Sequence, residues 1–168
     1  MAFRAAMTGH QVFATLHTHS ALGALARLAD LGVLPDMMAG NISGVIGQRL
    51  VRVLCVQCKT ASTPDDVEQR LLFLPNSPPP EMIFRPVGCP QCRGTGYRGR
   101  RTVMEVLRFD EEFDALVGSR APLSAFRALV AQREVMPLAD AAVALVRAGE
   151  TALEEVLRVV DLTGRLAR

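Results

Sequence analysis

The sequence has no tryptophan, one tyrosine (Tyr97), one lysine (Lys59) and three histidines. Such a scarcity of aromatics leaves little of the basic and aromatic interleaving by which single-stranded nucleic acid is gripped. No apolar run approaches the 18 or so residues of a membrane span, and the first ten residues, MAFRAAMTGH, lack the apolar centre of a signal peptide. The expected location is therefore cytoplasmic. In that reducing compartment four cysteines do not imply a disulfide framework. Lysine is so rare that nearly all positive charge is arginine, and a formal net charge of +2 points to no partner class by itself. With 49% hydrophobic and 21% charged residues, the composition is that of a folded protein rather than a disordered one. Its 168 residues suffice for one moderate core or two small ones.

What is present is concentrated in a few places. All three histidines lie within TGHQVFATLHTHS, residues 8 to 20. QVFATL is a nearly continuous apolar run rich in β-formers and reads as a buried strand of a parallel sheet. A strand would separate His10 from His17 by roughly 20 Å, too far for one shared ion. His17 would then stand just past the strand's carboxyl end, where open α/β sheets place their ligands, with the hydroxyls of Thr15 and Thr18 nearby. His19 reads as an exposed loop residue.

The segment SALGALARLADLG reads as a helix with Ser20 as N-cap and Gly32 as its stop. Met37, Met38, Ile42, Val45, Ile46 and Leu50 form a helical stripe, after which RLVRVL alternates like a strand. Residues 60 to 88 read as an insert with a short helix capped by Thr63, Pro64 at its first position, and a proline-rich loop. TVMEVL is a further strand. Beyond residue 110 four segments have helical periodicity, the last opening with a T-x-x-E capping box of Thr151 and Glu154.

The cysteines form two C-x2-C pairs, Cys55 with Cys58 and Cys89 with Cys92. Two intervening residues let a tight turn aim both sulfurs at one ion, and two such turns complete a closed tetrahedral site suited to structural zinc. Arg85, Arg93, Arg98, Arg100 and Arg101 surround the second pair without an acid among residues 85 to 101. This cluster reads first as a solvated or subunit-facing surface, and second as a site for nucleic acid, with Tyr97 to stack on a base.

Taken together, TGHQVFATLHTHSALGALARLADLGV resembles the histidine box of the ATPases that drive type II secretion and type IV pilus assembly. GQRLVRVLCVQC and GCPQCRGTGYRGRRTVMEVL resemble the tetracysteine segment of the same family, and TALEEVLRVV its C-terminal helix. The resemblance implies an α/β chain that is the C-terminal portion of a RecA-like ATPase domain. Residues 1–54 would be the second half of the RecA-like core, 55–101 a zinc-binding insert, and 102–168 a strand followed by a helical subdomain. It also implies that His17 contacts the γ-phosphate side of a nucleotide pocket, that His10 is the other member of the box, and that Thr15 and Thr18 border the pocket. Cys55, Cys58, Cys89 and Cys92 would hold zinc. The implied partners are a hexameric ring of like chains and an inner-membrane platform for secretion or pilus assembly, through which the chain would meet the membrane peripherally. Nucleic acid is not the first choice.

His19 stands where the family pattern has asparagine, and RRTVMEV replaces its usual G-R-T-G-I-x-E run. The chain also contains neither a G-x-x-x-x-G-K-[ST] loop nor an apolar strand ahead of residue 8 to carry a Walker B acid. ATP and Mg²⁺ would therefore bind only in the context of the complete ATPase, and the chain alone is expected not to hydrolyse ATP. It reads as a fragment, a truncated gene product or an independent module. The alternative function is a non-enzymatic, zinc-stabilised interaction module that binds an ATPase ring, or nucleic acid through its arginines.

Overall fold

The computed structural model describes residues 2–75, 77–133 and 135–166. In chain order these form α1 (Ala2–Met7), α2 (Gly23–Asp30), α3 (Pro35–Met38), β1 (Gly44–Leu54), β2 (Thr60–Ser62), α4 (Asp66–Leu71), β3 (Ile83–Arg85), β4 (Tyr97–Arg108), α5 (Glu111–Gly118), α6 (Leu123–Ala131), α7 (Leu138–Arg147) and α8 (Leu153–Val159). Helix and sheet are mixed, and β1 with β4 and β2 with β3 make two-stranded sheets. No helix of the described residues is long and apolar enough to cross a membrane. The chain divides into two compact units, Met1–Gly47 with Glu105–Met136, and Gln48–Met104 with Pro137–Arg168.

The first unit is built around aromatic rings. Phe109 and Phe113 stack with centroids 4.7 Å apart, and Phe126 of α6 lies 6.1 Å from Phe113. Val117, Leu107 and Met38 complete this core. Asp110 caps α5 by accepting the N–H of Phe113, and Arg133 pairs with Asp110 and Glu112. Polar contacts fix the loops: Glu105 accepts the N–H of Ala21 at 2.5 Å, and Asp114 that of Gly40 at 2.8 Å.

The second unit packs α7 and α8 with the apolar residues of the strands. Leu72, Ala142, Val143, Val146 and Val156 are fully buried, joined by Val51 and Val103. The β2–β3 hairpin is antiparallel, with Thr60 opposite Arg85 and Ser62 opposite Ile83. Arg147 fastens the proline-rich loop by donating to the carbonyls of Leu72 and Pro78. Near the C-terminus Arg165 pairs with Asp140.

Several expectations need correction. Residues 11–16 have no regular secondary structure, and Phe13 is 87% exposed. A parallel strand exists only beside partner strands, and among the described residues nothing pairs with this one. The helical stripe expected through Leu50 stops after α3: Gly40 has φ +72°, and the chain re-enters as β1 from Gly44. The β-branched residues Val45, Ile46 and Val51 fit a pleated strand better than a helix, and glycines at 44 and 47 weaken helix further.

Helix α4 is capped by Asp65, not Thr63, in a reciprocal box with Glu68. At α8 the expected Thr151–Glu154 box is absent. The Thr151 hydroxyl donates to the Arg52 carbonyl at 2.8 Å, and Glu154 instead faces Arg85. Gly32 follows the end of α2 at φ +79° as expected, whereas the N-cap of α2 is Leu22 rather than Ser20; the Ser20 hydroxyl accepts the N–H of Gly23 from the turn ahead of the helix.

Candidate functional site

Each cysteine pair is set in a tight turn closed on the carbonyl of its first cysteine. After β1 the carbonyl of Cys55 accepts the N–H groups of Cys58 and Lys59. In the second turn the carbonyl of Cys89 accepts those of Cys92 and of Gly94, one residue further along than in the first turn. A short 3-10 turn, Pro90–Cys92, carries the second pair, and Arg93 and Gly94 behind it have φ of +54° and +74°. The N–H of Cys55 donates to the Gly96 carbonyl at 2.9 Å and so joins the two turns.

The four Sγ atoms all lie within 4.8 Å of one another. Cys55 is 3.9 Å from Cys89, and Cys58 is 3.8 Å from Cys92. A disulfide would bring sulfurs to about 2.05 Å; these are free thiols. A tetrahedron with metal–sulfur bonds of about 2.3 Å has edges of about 3.8 Å, which matches the two separations. Among the described residues this is the only group of three or more His, Cys, Asp or Glu side chains placed to share a metal ion.

Backbone dipoles already favour thiolate at one corner. Burial opposes ionisation of Cys92, but the N–H groups of Cys89 at 3.1 Å and Gly96 at 3.2 Å outweigh it and bring the thiol down to about 6. Burial pushes Cys58 up to about 11, against the N–H of Gly88. A site that ionises one thiol readily and holds another protonated needs a cation to deprotonate the full set. Gly96 is essential to the approach: a Cβ there would lie 2.5 Å from Cβ of Pro86, and its φ is +75°.

The histidine segment is not assembled into a pocket of comparable definition. Nδ1 of His10 lies 3.1 Å from the Thr8 hydroxyl, beside the end of α1. His17 and Thr15 are exposed, and the Thr18 hydroxyl donates to the Ser20 carbonyl at 3.1 Å. Lys59 is committed elsewhere, donating to the Gly149 carbonyl at 2.7 Å with its ammonium over the Phe84 ring.

The arginines near the second cysteine pair are partly paired. Arg85 bridges Glu68 at 2.6 Å, and Arg101 meets Glu150 at 3.1 Å. Tyr97 is not a free stacking platform, because the guanidinium of Arg52 covers its ring at 4.1 Å. Sequence reasoning missed the centre of this region, Glu155. Its side chain is fully buried and paired with Arg52 at 2.5 Å and Arg158 at 2.8 Å. The three-residue spacing of Glu155 and Arg158 was visible as a helical pair; the burial was not.

Comparison with known proteins identifies the family. The family model described as "Type II/IV secretion system protein" matches residues 1–158. The type IV pilus assembly ATPase TfpB of Acinetobacter baylyi is 44% identical over 97% of this chain and 28% of its own length. The type II secretion system ATPase E of Vibrio cholerae is 41% identical over 95% of this chain and 31% of its own. A putative type II secretion system protein E of Escherichia coli is 37% identical over 97% of the chain and 33% of its own length. The chain thus spans about a third of the length of these relatives. An identity of this level sustained over nearly every residue, with the tetracysteine cluster closed in space, makes this chain a member of the type II/IV secretion system protein family.

Proposed function

We propose that this chain is the C-terminal portion of a RecA-like, hexameric ATPase that powers type II protein secretion or assembly of a type IV pilus. The observation that carries this reading is the match over 97% and 95% of the chain to two proteins named as ATPases of those systems. Cys55, Cys58, Cys89 and Cys92 hold one structural zinc ion, a reading supported by sulfur separations near those of a zinc tetrathiolate. Zinc would fix the two turns and leave no open position for substrate. His17, with His10, Thr15 and Thr18, borders the nucleotide pocket of the complete enzyme, where ATP and Mg²⁺ bind. A ring of like chains meets the inner-membrane platform from the cytoplasmic side.

The test is a chimera in which the matched segment of the Vibrio cholerae ATPase is replaced by this chain. Retained ATP hydrolysis that falls at least tenfold on His17→Ala is the expected result. A chimera that folds and assembles but turns over ATP equally well with alanine at position 17 would overturn the assignment of His17. The chain alone has no phosphate-binding loop and is expected to show no ATP turnover. Hydrolysis by the isolated chain that His17→Ala abolishes would contradict that.

A further inference from the structure

We propose that Arg52, Arg100 and Arg158 form a binding site for a phosphate-type oxyanion, organised from beneath by Glu155. The three arginines line one cleft together with Leu50 and Glu155. Glu155 is buried and accepts five hydrogen bonds: from the backbone N–H of Arg52, from Nε and Nη2 of Arg52, and from Nε and Nη2 of Arg158. Each guanidinium therefore presents its Nε–Nη2 edge to the carboxylate. Tyr97 supports Arg52 further, with its ring 4.1 Å from the guanidinium carbon. The side chains of Arg52 and Arg158 are nevertheless 42% and 60% exposed and line the cleft, so the N–H groups not used by Glu155 remain available to a ligand.

Neutralising one buried carboxylate requires one cation. Here it holds two, and Arg100 lines the same cleft and, among the described residues, forms no ion pair with an acid; it is the adjacent Arg101 that meets Glu150. Three guanidiniums against one carboxylate leave two positive charges. Glu154, the neighbour of Glu155 in sequence, pairs with Arg85 instead and is not part of the cleft lining. Arginine forks fixed in orientation bind oxyanions through paired N–H donors, and prior fixing removes much of the entropy cost of doing so. A divalent tetrahedral anion matches the excess charge of the cleft better than a monovalent carboxylate does. The ligand class is accordingly phosphate, free or as an ester.

The test is a calorimetric titration of the full chain with inorganic pyrophosphate at low ionic strength, repeated with inorganic phosphate and with acetate. Saturable binding of pyrophosphate at one site is expected, weakened at least tenfold by Arg100→Ala and largely restored by Arg100→Lys. Glu155 takes its hydrogen bonds from Arg52 and Arg158 rather than from Arg100, so this variant should keep its fold; circular dichroism verifies it. Arg93→Ala, on the second cysteine turn, should leave the affinity within twofold. Absence of saturable binding, equal loss in Arg93→Ala and Arg100→Ala, or acetate binding as strongly as pyrophosphate would each overturn the assignment.

Discussion

Glu155 shows how a single residue combines burial and charge. Burial alone would raise its carboxyl, yet the donors of Arg158 and Arg52 prevail and hold it near 2, against an ordinary value of 4.5. Because the folded value lies below the unfolded one, the stabilisation is complete above about pH 4.5 and is lost as pH falls toward 2. Glu155→Gln keeps the volume but strands two guanidiniums. Since both remain partly exposed, the cost should fall at the lower end of the roughly 3–5 kcal/mol typical of breaking a buried pair. Urea unfolding at neutral pH measures that loss. Repeated between pH 4.5 and pH 3, the same measurement should show a shallower loss of stability in the variant than in the parent. Nothing in the string TALEEVLRVV distinguishes Glu155, which is buried, from Glu154, which is half exposed. That distinction depends on β1, about 100 positions away in sequence, whose Arg52 reaches the carboxylate.

At the scale of elements, the cysteine turns were legible because their chemistry is local: the C-x2-C spacing dictates where two sulfurs go. Helices α5 to α8 were legible for a similar reason, each having apolar residues at helical spacing over eight or more positions or close to it. The segment 37–50 was misread because Met37, Met38, Ile42, Val45 and Ile46 fall at three- and four-residue spacing by coincidence of a helix and a strand joined through Gly40. The Thr151 cap failed because its hydroxyl found a carbonyl on β1, a partner that no local rule contains. Two glycines of the second turn separate conformational from steric cost. Gly94 has φ +74° and open space around its Cβ position, whereas Gly96 has φ +75° and meets Pro86. Gly94→Ala should cost only the left-handed strain, about 1 kcal/mol. Gly96→Ala should cost several times as much and shorten metal retention against a chelator, as followed by a zinc-sensitive dye. Stripping zinc from the zinc-loaded chain should lower the midpoint of thermal unfolding, since the ion would tie the turn after β1 to the turn ahead of β4.

At the scale of the whole molecule, length left open one moderate core or two small ones, and the structure has two, while the family emerged from motifs spread along the chain. The expected strand 11–16 is where this reading and the structure part. Val12 and Phe13 have strand propensity but lie exposed, and no described strand pairs with them. Propensity supplies only a fraction of a kcal/mol per residue, whereas a parallel strand depends on cross-strand hydrogen bonds and burial on both faces. The relatives are about three times longer than this chain, and under the proposed function the additional length would supply such neighbours. Hydrogen exchange distinguishes the two situations. Amides of residues 11–16 should exchange at nearly unprotected rates in the isolated chain and slow by at least a hundredfold in the chimera with the Vibrio cholerae ATPase. Equal, fast exchange in a chimera that hydrolyses ATP would mean that this segment stays irregular in a working enzyme. His17 would then reach the nucleotide from a loop rather than from the end of a sheet strand.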